Sequence, residues 1–419
     1  MSMFIFFSIS WFLVFLLLFI VLLFFSSGVN CFNIINSVVF NNFFVFDSIF
    51  FYLFLLVLFL GLYSNVMFYN LLSLNVRFYL FISLLFTSLS FCVNHCIFFW
   101  CFYELSMLPL LYLIFSDSSY SERFLAGWYF CGYLLVTSLP LVLILFYLSY
   151  INNSFFFSDW FMNVDVSLIV YYLLSFVFFT KVPLVPFHTW LPIVHAEATS
   201  IVSIFLSGYI MKLGLLGVYR CSNFIFNLNF LWYLFVCCVI CIFFLIVSCN
   251  ELDGKRWLAF LSLSHIVVPF LCFFISDWSS LSFSFFYCMG HGLSAGIVFC
   301  LLWCFYDVSN TRNWILVKSS VNGLSLMLVV IFSLLSLCSF PTSIQFFCEV
   351  NLVIYSSGLF VLILFWFLYL FLGGLIPLIL CGHLLVRSEF YENVNVSFYP
   401  QFYFLFFCCF WCYLGFLVF

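Results

Sequence analysis

Charge is what this chain has least of: 10 Lys+Arg and 14 Asp+Glu in 419 residues, 6% of the total. A soluble domain carries about 25% charged residues, so a water-soluble globular fold is excluded. The nucleotide-binding loops are missing as well. No G-x-G-x-x-G and no phosphate-cradling glycine loop ending in Lys-Ser/Thr occurs, and no Cys/His spacing reads as a metal site. The chain therefore offers no motif for NADH, flavin or an iron–sulfur cluster, and no cofactor is expected in it. Its longest polar stretches, 116–123, 152–165, 250–256, 307–320 and 387–399, can touch a neighbouring subunit but cannot hold a nucleotide fold. No nucleic-acid partner is expected. Alanine is scarce, and no lipid-attachment motif is visible.

What fills the space is hydrocarbon: 68% hydrophobic residues, with 70 phenylalanines and 20 cysteines. Apolar runs of about 18–25 residues recur from end to end, and runs of that length cross a bilayer as helices. The reading is an all-α polytopic membrane protein of about 13 spans. They fall near 3–26, 43–64, 78–94, 95–116, 122–150, 166–187, 197–220, 229–249, 255–275, 281–306, 321–340 running into 344–358, 360–384 and 400–418. The first run lacks a basic leader and reads as a retained span. The cysteines sit inside apolar runs, Cys237, Cys238 and Cys241 for example, and read as packing residues. Phe, Leu, Cys, Val, Tyr and Trp can all be encoded by U-rich codons, so the phenylalanine content reads as mutation pressure in an organelle-like genome.

Two helices look broken. Pro183, Pro186 and Pro192 interrupt 182–192, and Pro341 interrupts 339–350 just before Glu349. Proline removes backbone donors, and irregular backbone at membrane depth is tolerated only where it is enclosed or lines a cavity. Matched breaks in two halves point to inverted repeats. The expected division is N-terminal spans at 1–77, a first five-helix repeat at 78–220, a second at 229–384, and a C-terminal span at 385–419.

An ionisable group inside a bilayer costs about 2.5–3.5 kcal/mol on insertion scales, so those that remain need a reason. Glu104 lies near mid-helix in FYELSMLPLL, and reads as a functional carboxylate rather than one that snorkels. Lys181 precedes the first break by two residues, and Lys212 lies beside Gly208, Gly214 and Gly217, which allow close helix approach. His265 and His291 are each deep in an apolar run, and Glu349 follows the second break as the acidic counterpart of Lys181. His188 and His195 flank the first break, where a relay and a structural role weigh equally. Glu197, Glu251, Asp253, Lys255 and Arg256 read as loop-proximal, solvated or paired. Glu122 reads as an acid in a first helical turn, and His95 and His383 as ordinary span-end residues.

The segments KVPLVPFHTWLPIVHAEATS (181–200) and MKLGLLGVYR (211–220) resemble the proton-translocating signature of the antiporter-like membrane subunits of respiratory complex I, shared with multisubunit sodium/proton antiporters. Further matches follow in order: FDSIFFY (46–52), SERFLAGWYF (121–130), TSLPLV (137–142), LDGKRWLAFLSLSHI (252–266), GHGLSAGIVFCL (290–301) and FPTSIQFFCEV (340–350). The resemblance covers about residues 45–385. It implies a carboxylate, Glu104, paired with Lys181, a central Lys212, histidines His265 and His291, and a terminal Glu349. It selects the branch with a terminal glutamate over the relatives, subunits 2 and 5, that carry lysine there. Cys348 stands where the family has glycine, Thr199 where it has proline, and the N-terminus is short by roughly one helix.

The resemblance implies a proton-conducting subunit of NADH:ubiquinone oxidoreductase in the mitochondrial inner membrane, mitochondrially encoded. NADH, FMN, iron–sulfur clusters and ubiquinone would reside in partner subunits. The expected neighbours are subunits 2 and 5 and bilayer lipid, cardiolipin included. Waters are expected between the charged groups, since side chains a helix apart rarely touch. A sodium/proton antiporter subunit shares the charges and is the alternative. A scaffold that has lost pumping fits poorly with six costly charges kept, and no solute-binding motif supports a solute transporter.

Overall fold

The computed structural model describes residues 39–40, 43–118, 120–160, 166–222, 225, 228–275, 281–317, 324–386 and 399–418. The span expected at 3–26 and most of the 387–399 stretch lie outside these residues. A short antiparallel ribbon, β1 (Val39–Phe40) and β2 (Val45–Phe46), precedes the helices. Asp47 then caps α1 (Ser48–Met67) by accepting from Phe50 N–H at 2.8 Å. The next spans are α2 (Leu74–Cys92), α3 (Cys96–Asp117) and α4 (Arg123–Ile151). The first broken segment follows as α5 (Leu168–Lys181) and α6 (Trp190–Glu197), and then α7 (Ser200–Ser222). The second half runs through α8 (Leu228–Asn250), α9 (Gly254–Ile275), α10 (Ser282–Ser309) and the short α11 (Trp314–Val317). It closes with the second broken segment, α12 (Leu324–Leu337) and α13 (Ile344–Ser356), then α14 (Phe360–Leu385) and α15 (Tyr399–Val418). Among the described residues, each half thus contains a broken segment followed by one long helix, α7 or α14. The expected spans from 43 onward are all present, shifted by a few residues at their ends.

The first break begins directly after Lys181 and ends at Trp190, eight residues without regular helix, with Pro183 at φ 27°. Its freed carbonyls are not left bare. The Trp190 indole donates to Thr180 O at 2.9 Å, and the Tyr233 hydroxyl donates to Val185 O at 2.6 Å. A carbonyl stranded in hydrocarbon would cost several kcal/mol, so these two aromatic donors are what make the break tenable. Pro192 was expected to belong to the break; it lies instead in the first turn of α6, where its missing N–H has no helical partner to lose. The second break places Ser339 and Thr342 at positive φ (50° and 85°), and Ser343 caps α13 by accepting from Phe346 N–H. Glu122 also departs from expectation: it is the residue before α4, and its side chain caps nothing.

Layering follows polarity. α7, α9 and α10, the helices that carry Lys212, His265 and His291, are almost wholly enclosed, whereas α4, α8 and α14 turn much of their surface outward. Glycine sets the inner spacing. A Cβ on Gly214 would lie 2.4 Å from Val182 Cγ2 and 3.3 Å from Lys181 Cβ, so α7 packs on α5 at its broken end. A Cβ on Gly290 would lie 3.0 Å from Ile344 Cγ2, which brings α10 against α13. Gly214→Ala should therefore force α7 and α5 apart at a cost of about 1–3 kcal/mol. A lowered thermal midpoint in lipid nanodiscs checks this, with Gly374→Ala, whose added Cβ meets nothing within 4 Å, as the silent control.

Candidate functional site

The ionisable groups expected to form the path occur in three clusters. In the first, α3 places Glu104 opposite the last residue of α5. Lys181 Nζ stands 4.0 Å from Glu104 Oε1, donates to Tyr133 O at 3.3 Å, and lies 5.8 Å over the Tyr103 ring. Lys181 is nearly inaccessible, and Glu104 keeps 16% of its side-chain exposure. At this separation the two are an ion pair without a direct hydrogen bond, since such a bond needs about 2.7–3.2 Å.

In the second, a widened turn at Leu206–Ile210 interrupts α7, and Met211 N–H reaches back to Leu206 O. π-type turns of this kind recur at functional sites. Here it presents the Ser207 carbonyl to Lys212 Nζ, and Lys212 is completely enclosed. His195, on α6, is also completely enclosed and stacks on Phe299 at 5.0 Å; its charged neighbours are Lys255 and Lys212.

In the third, four helices converge. His291 (α10) and His265 (α9) have ring centroids 5.4 Å apart, and Lys212 lies within electrostatic reach of His291. His265 Nδ1 meets the Tyr369 hydroxyl (α14) at 2.5 Å and the Tyr287 hydroxyl (α10) at 3.2 Å. Both hydroxyls reach Glu349 Oε1 (α13), at 3.3 Å from Tyr287 and 3.4 Å from Tyr369.

Glu104 and Lys181 are thus brought together as expected, and His265, His291 and Glu349 form one connected group. His188 is not joined to them: it lies half-buried in the first break, 4.8 Å over Phe244. His95 precedes α3 among Phe98, Phe155 and Phe156, and burial pushes its imidazole below the usual histidine range. The expectation of waters between the groups is corrected between His265 and Glu349, where two tyrosines span the gap. Tyr287, one turn before His291 on the same helix, was within reach of a sequence argument; Tyr369, among the aromatics of α14, carried no signal.

Lys255 and Glu197 were read as loop-proximal, and the structure buries both. α6 ends, enclosed by the starts and ends of other helices, with three consecutive carbonyls lacking helical partners. Arg312 donates to Ala196 O, the Ser118 hydroxyl to Glu197 O, and Lys255 Nζ to Ala198 O at 2.7 Å. Arg312 in turn stands 3.5 Å from Asp253 and 4.0 Å from Glu197, and both cations lie over the Tyr120 ring. Cations at a helix C-terminus also complement its dipole. The helical face was the missed signal: Lys255 shares its side of α9 with Leu258, Ala259 and Ser262, all buried, while adjacent Arg256 is exposed. Among the described residues no group of three His, Cys, Asp or Glu could hold a metal.

The sequence and the fold have counterparts in known proteins. The membrane family described as NADH:quinone oxidoreductase/Mrp antiporter, TM, matches residues 93–375. The chain belongs to this family. The matched segment of this antiporter-family chain holds Glu104, Lys181, Lys212, His265, His291 and Glu349. NADH-ubiquinone oxidoreductase chain 4 of Rhipicephalus sanguineus is 32% identical over 282 residues, 66% of this chain and 64% of that one. The protein of the same name from Artemia franciscana is 30% identical, over 65% of this chain and 70% of that one. In the tick and Locusta migratoria relatives the match spans 64% and 62% of their length, just under two thirds. The fold resembles a chain of Thermus thermophilus respiratory complex I (TM-score 0.77, 18% identity, 88% of this chain and 81% of that one). It also resembles a chain of the Mrp complex of Dietzia sp. DQ12-45-1b (TM-score 0.71, 16% identity, 84% and 68%).

Replacing Lys255 by Met should leave the Ala198 carbonyl buried and unpaired, at about 1–3 kcal/mol. A drop in the thermal midpoint of the purified protein in nanodiscs is expected, whereas Arg256→Met should leave it unmoved; equal effects would contradict the capping role.

Proposed function

We propose that this chain is a proton-translocating membrane-arm subunit of NADH:ubiquinone oxidoreductase, respiratory complex I. The observation that carries the reading is the run of enclosed ionisable groups, Glu104–Lys181, then Lys212, then His291, His265 and Glu349, in a family-matched segment that is predominantly apolar. His195 is a secondary member of the path, beside Lys212 and Lys255; His188, at the first break, is the outermost. In this reading the chain contributes to an NADH:ubiquinone reductase that translocates protons, and performs no redox chemistry itself. NADH, FMN, iron–sulfur clusters and ubiquinone belong to partner chains. The neighbours are the other membrane-arm subunits, subunits 2 and 5 in particular, with cardiolipin among the surrounding lipids. The setting is the mitochondrial inner membrane, and the chain is encoded in the organelle, in keeping with an excess of residues that U-rich codons can encode. The functional halves are the repeats at 78–220 and 229–384, flanked by 1–77 and 385–419.

The mechanism is electrostatic. At 4.0 Å, an ion pair such as Glu104–Lys181 is worth about 4 kcal/mol at an effective dielectric near 20. Each 1.4 kcal/mol is about tenfold in a proton-binding equilibrium. Drawing Glu104 away, or neutralising it, therefore lowers the proton affinity of Lys181 by nearly three powers of ten. The lysine's position at the end of α5 suits this, because the break beside it can move without unwinding a regular helix. A charge change at one end thus passes along the clusters as a proton.

A native gel of solubilised mitochondrial membranes, stained for NADH dehydrogenase activity, tests membership. Chymotryptic peptides of this chain are expected in the active band. Their recovery only elsewhere, with sodium-exchange subunits, would move the chain to the antiporter reading. Within the active complex, Glu104→Gln should lower the protons moved per electron while NADH oxidation persists; an unchanged ratio would contradict the pair's role.

A further inference from the structure

Four buried polar atoms meet where α9, α10, α13 and α14 converge: His265 Nδ1, the hydroxyls of Tyr287 and Tyr369, and Glu349 Oε1. Each hydroxyl touches both the imidazole and the carboxyl, and the two hydroxyls lie 3.2 Å from each other. We infer that Tyr287 and Tyr369 are relay residues, a twin hydroxyl bridge that carries the proton between His265 and Glu349, each ring offering a complete route alone. The inference rests on the proton path proposed above.

The argument is one of donor and acceptor bookkeeping. A phenol hydroxyl has one proton to give and lone pairs with which to accept. With Glu349 protonated, its O–H donates to a tyrosine oxygen, and that tyrosine donates to the bare Nδ1 of His265. With His265 protonated at Nδ1, the same bonds point the other way: Nδ1–H donates to the tyrosine, and the tyrosine donates to the carboxylate. The two states share one set of heavy-atom positions and differ by one proton. In passing from the first to the second, the Glu349 O–H bond breaks, the tyrosine oxygen gains that proton, and the tyrosine's own proton bonds to Nδ1. The phenol is neutral before and after, and a turn of the hydroxyl resets it.

The far side of the histidine continues the line. His265 Nε2 has no hydrogen-bond partner among the described residues, and its ring stands 5.4 Å from that of His291. A proton gained at Nδ1 therefore permits release at Nε2 towards His291. If the tyrosines were only packing residues, phenylalanine would serve, since a buried hydroxyl costs free energy unless it is bonded. Two of them converging on one imidazole and one carboxyl, from separate helices, is a built arrangement.

The test uses the assembled complex in sealed inner-membrane vesicles, with proton uptake and NADH oxidation followed together. The variants are Tyr287→Phe, Tyr369→Phe, both together, and Glu349→Gln as the marker of the path. Each single variant keeps one hydroxyl and should stay within about twofold of wild type. The double variant should lose as much pumping as Glu349→Gln, with transfer along this path at least about tenfold slower. Normal pumping by the double variant while Glu349→Gln fails would overturn the bridge and leave the path intact. Normal pumping by Glu349→Gln would instead remove the path itself. If the double variant does not assemble, the full chain in nanodiscs serves. The carboxyl band of Glu349, identified by its loss in Glu349→Gln, should shift in Tyr369→Phe, and an unmoved band would overturn the bridge.

Discussion

Ionisable groups held in hydrocarbon cost about 2.5–3.5 kcal/mol each on insertion scales, and the interior gives its lysines and Glu349 polar partners, whereas the rings of His195 and His291 have no hydrogen-bond partner among the described residues. Lys181 has Glu104, a backbone carbonyl and an aromatic face; Lys212 has the Ser207 carbonyl in a widened turn; Glu349 has two tyrosine hydroxyls. These partners come from different helices, so keeping the charges fixes how the helices pack. The glycine contacts of α7 on α5 and of α10 on α13 follow from the same need, since side chains of ordinary size would hold the clusters apart.

The breaks answer a second form of the same constraint. An interrupted helix exposes carbonyls, and here each freed group named above is met by a side chain: Trp190 and Tyr233 at the first break, then Arg312, Ser118 and Lys255 at the end of α6. The basic cluster around Tyr120 joins α6 to the start of α9 and to the α10–α11 connection. The two halves are therefore linked by charge as well as by packing, and a shift in the first broken segment is felt at the second half. In the reading proposed here, that linkage is what lets an electrostatic change travel.

Much of this was legible in the sequence, and the reason is chemical. Membrane spans announce themselves by length and hydropathy, so 43–64, 95–116 and 255–275 were located to within a few residues. Glu104, Lys181 and Glu349 stood out because charge in an apolar run is rare. The opposite held where a residue type is ordinary in context. Lys255 sat next to Asp253 and Arg256 and read as part of a polar loop, although the helix starts at Gly254 and turns it inward. Tyr369 was one aromatic among many, and only the meeting of α9, α13 and α14 gives its hydroxyl a role. Pro192 was assigned to the break because proline usually ends a helix, yet in a first turn it is at home.

The central claim is that protons move through this chain along its enclosed charges. The most direct measurement is the proton-to-electron ratio of the intact complex in sealed vesicles when Lys212, the link between the clusters, is replaced by Met. The account predicts a lower ratio with NADH oxidation retained, because methionine fills the space but cannot hold a proton. An unchanged ratio in a fully assembled Lys212→Met complex would contradict it.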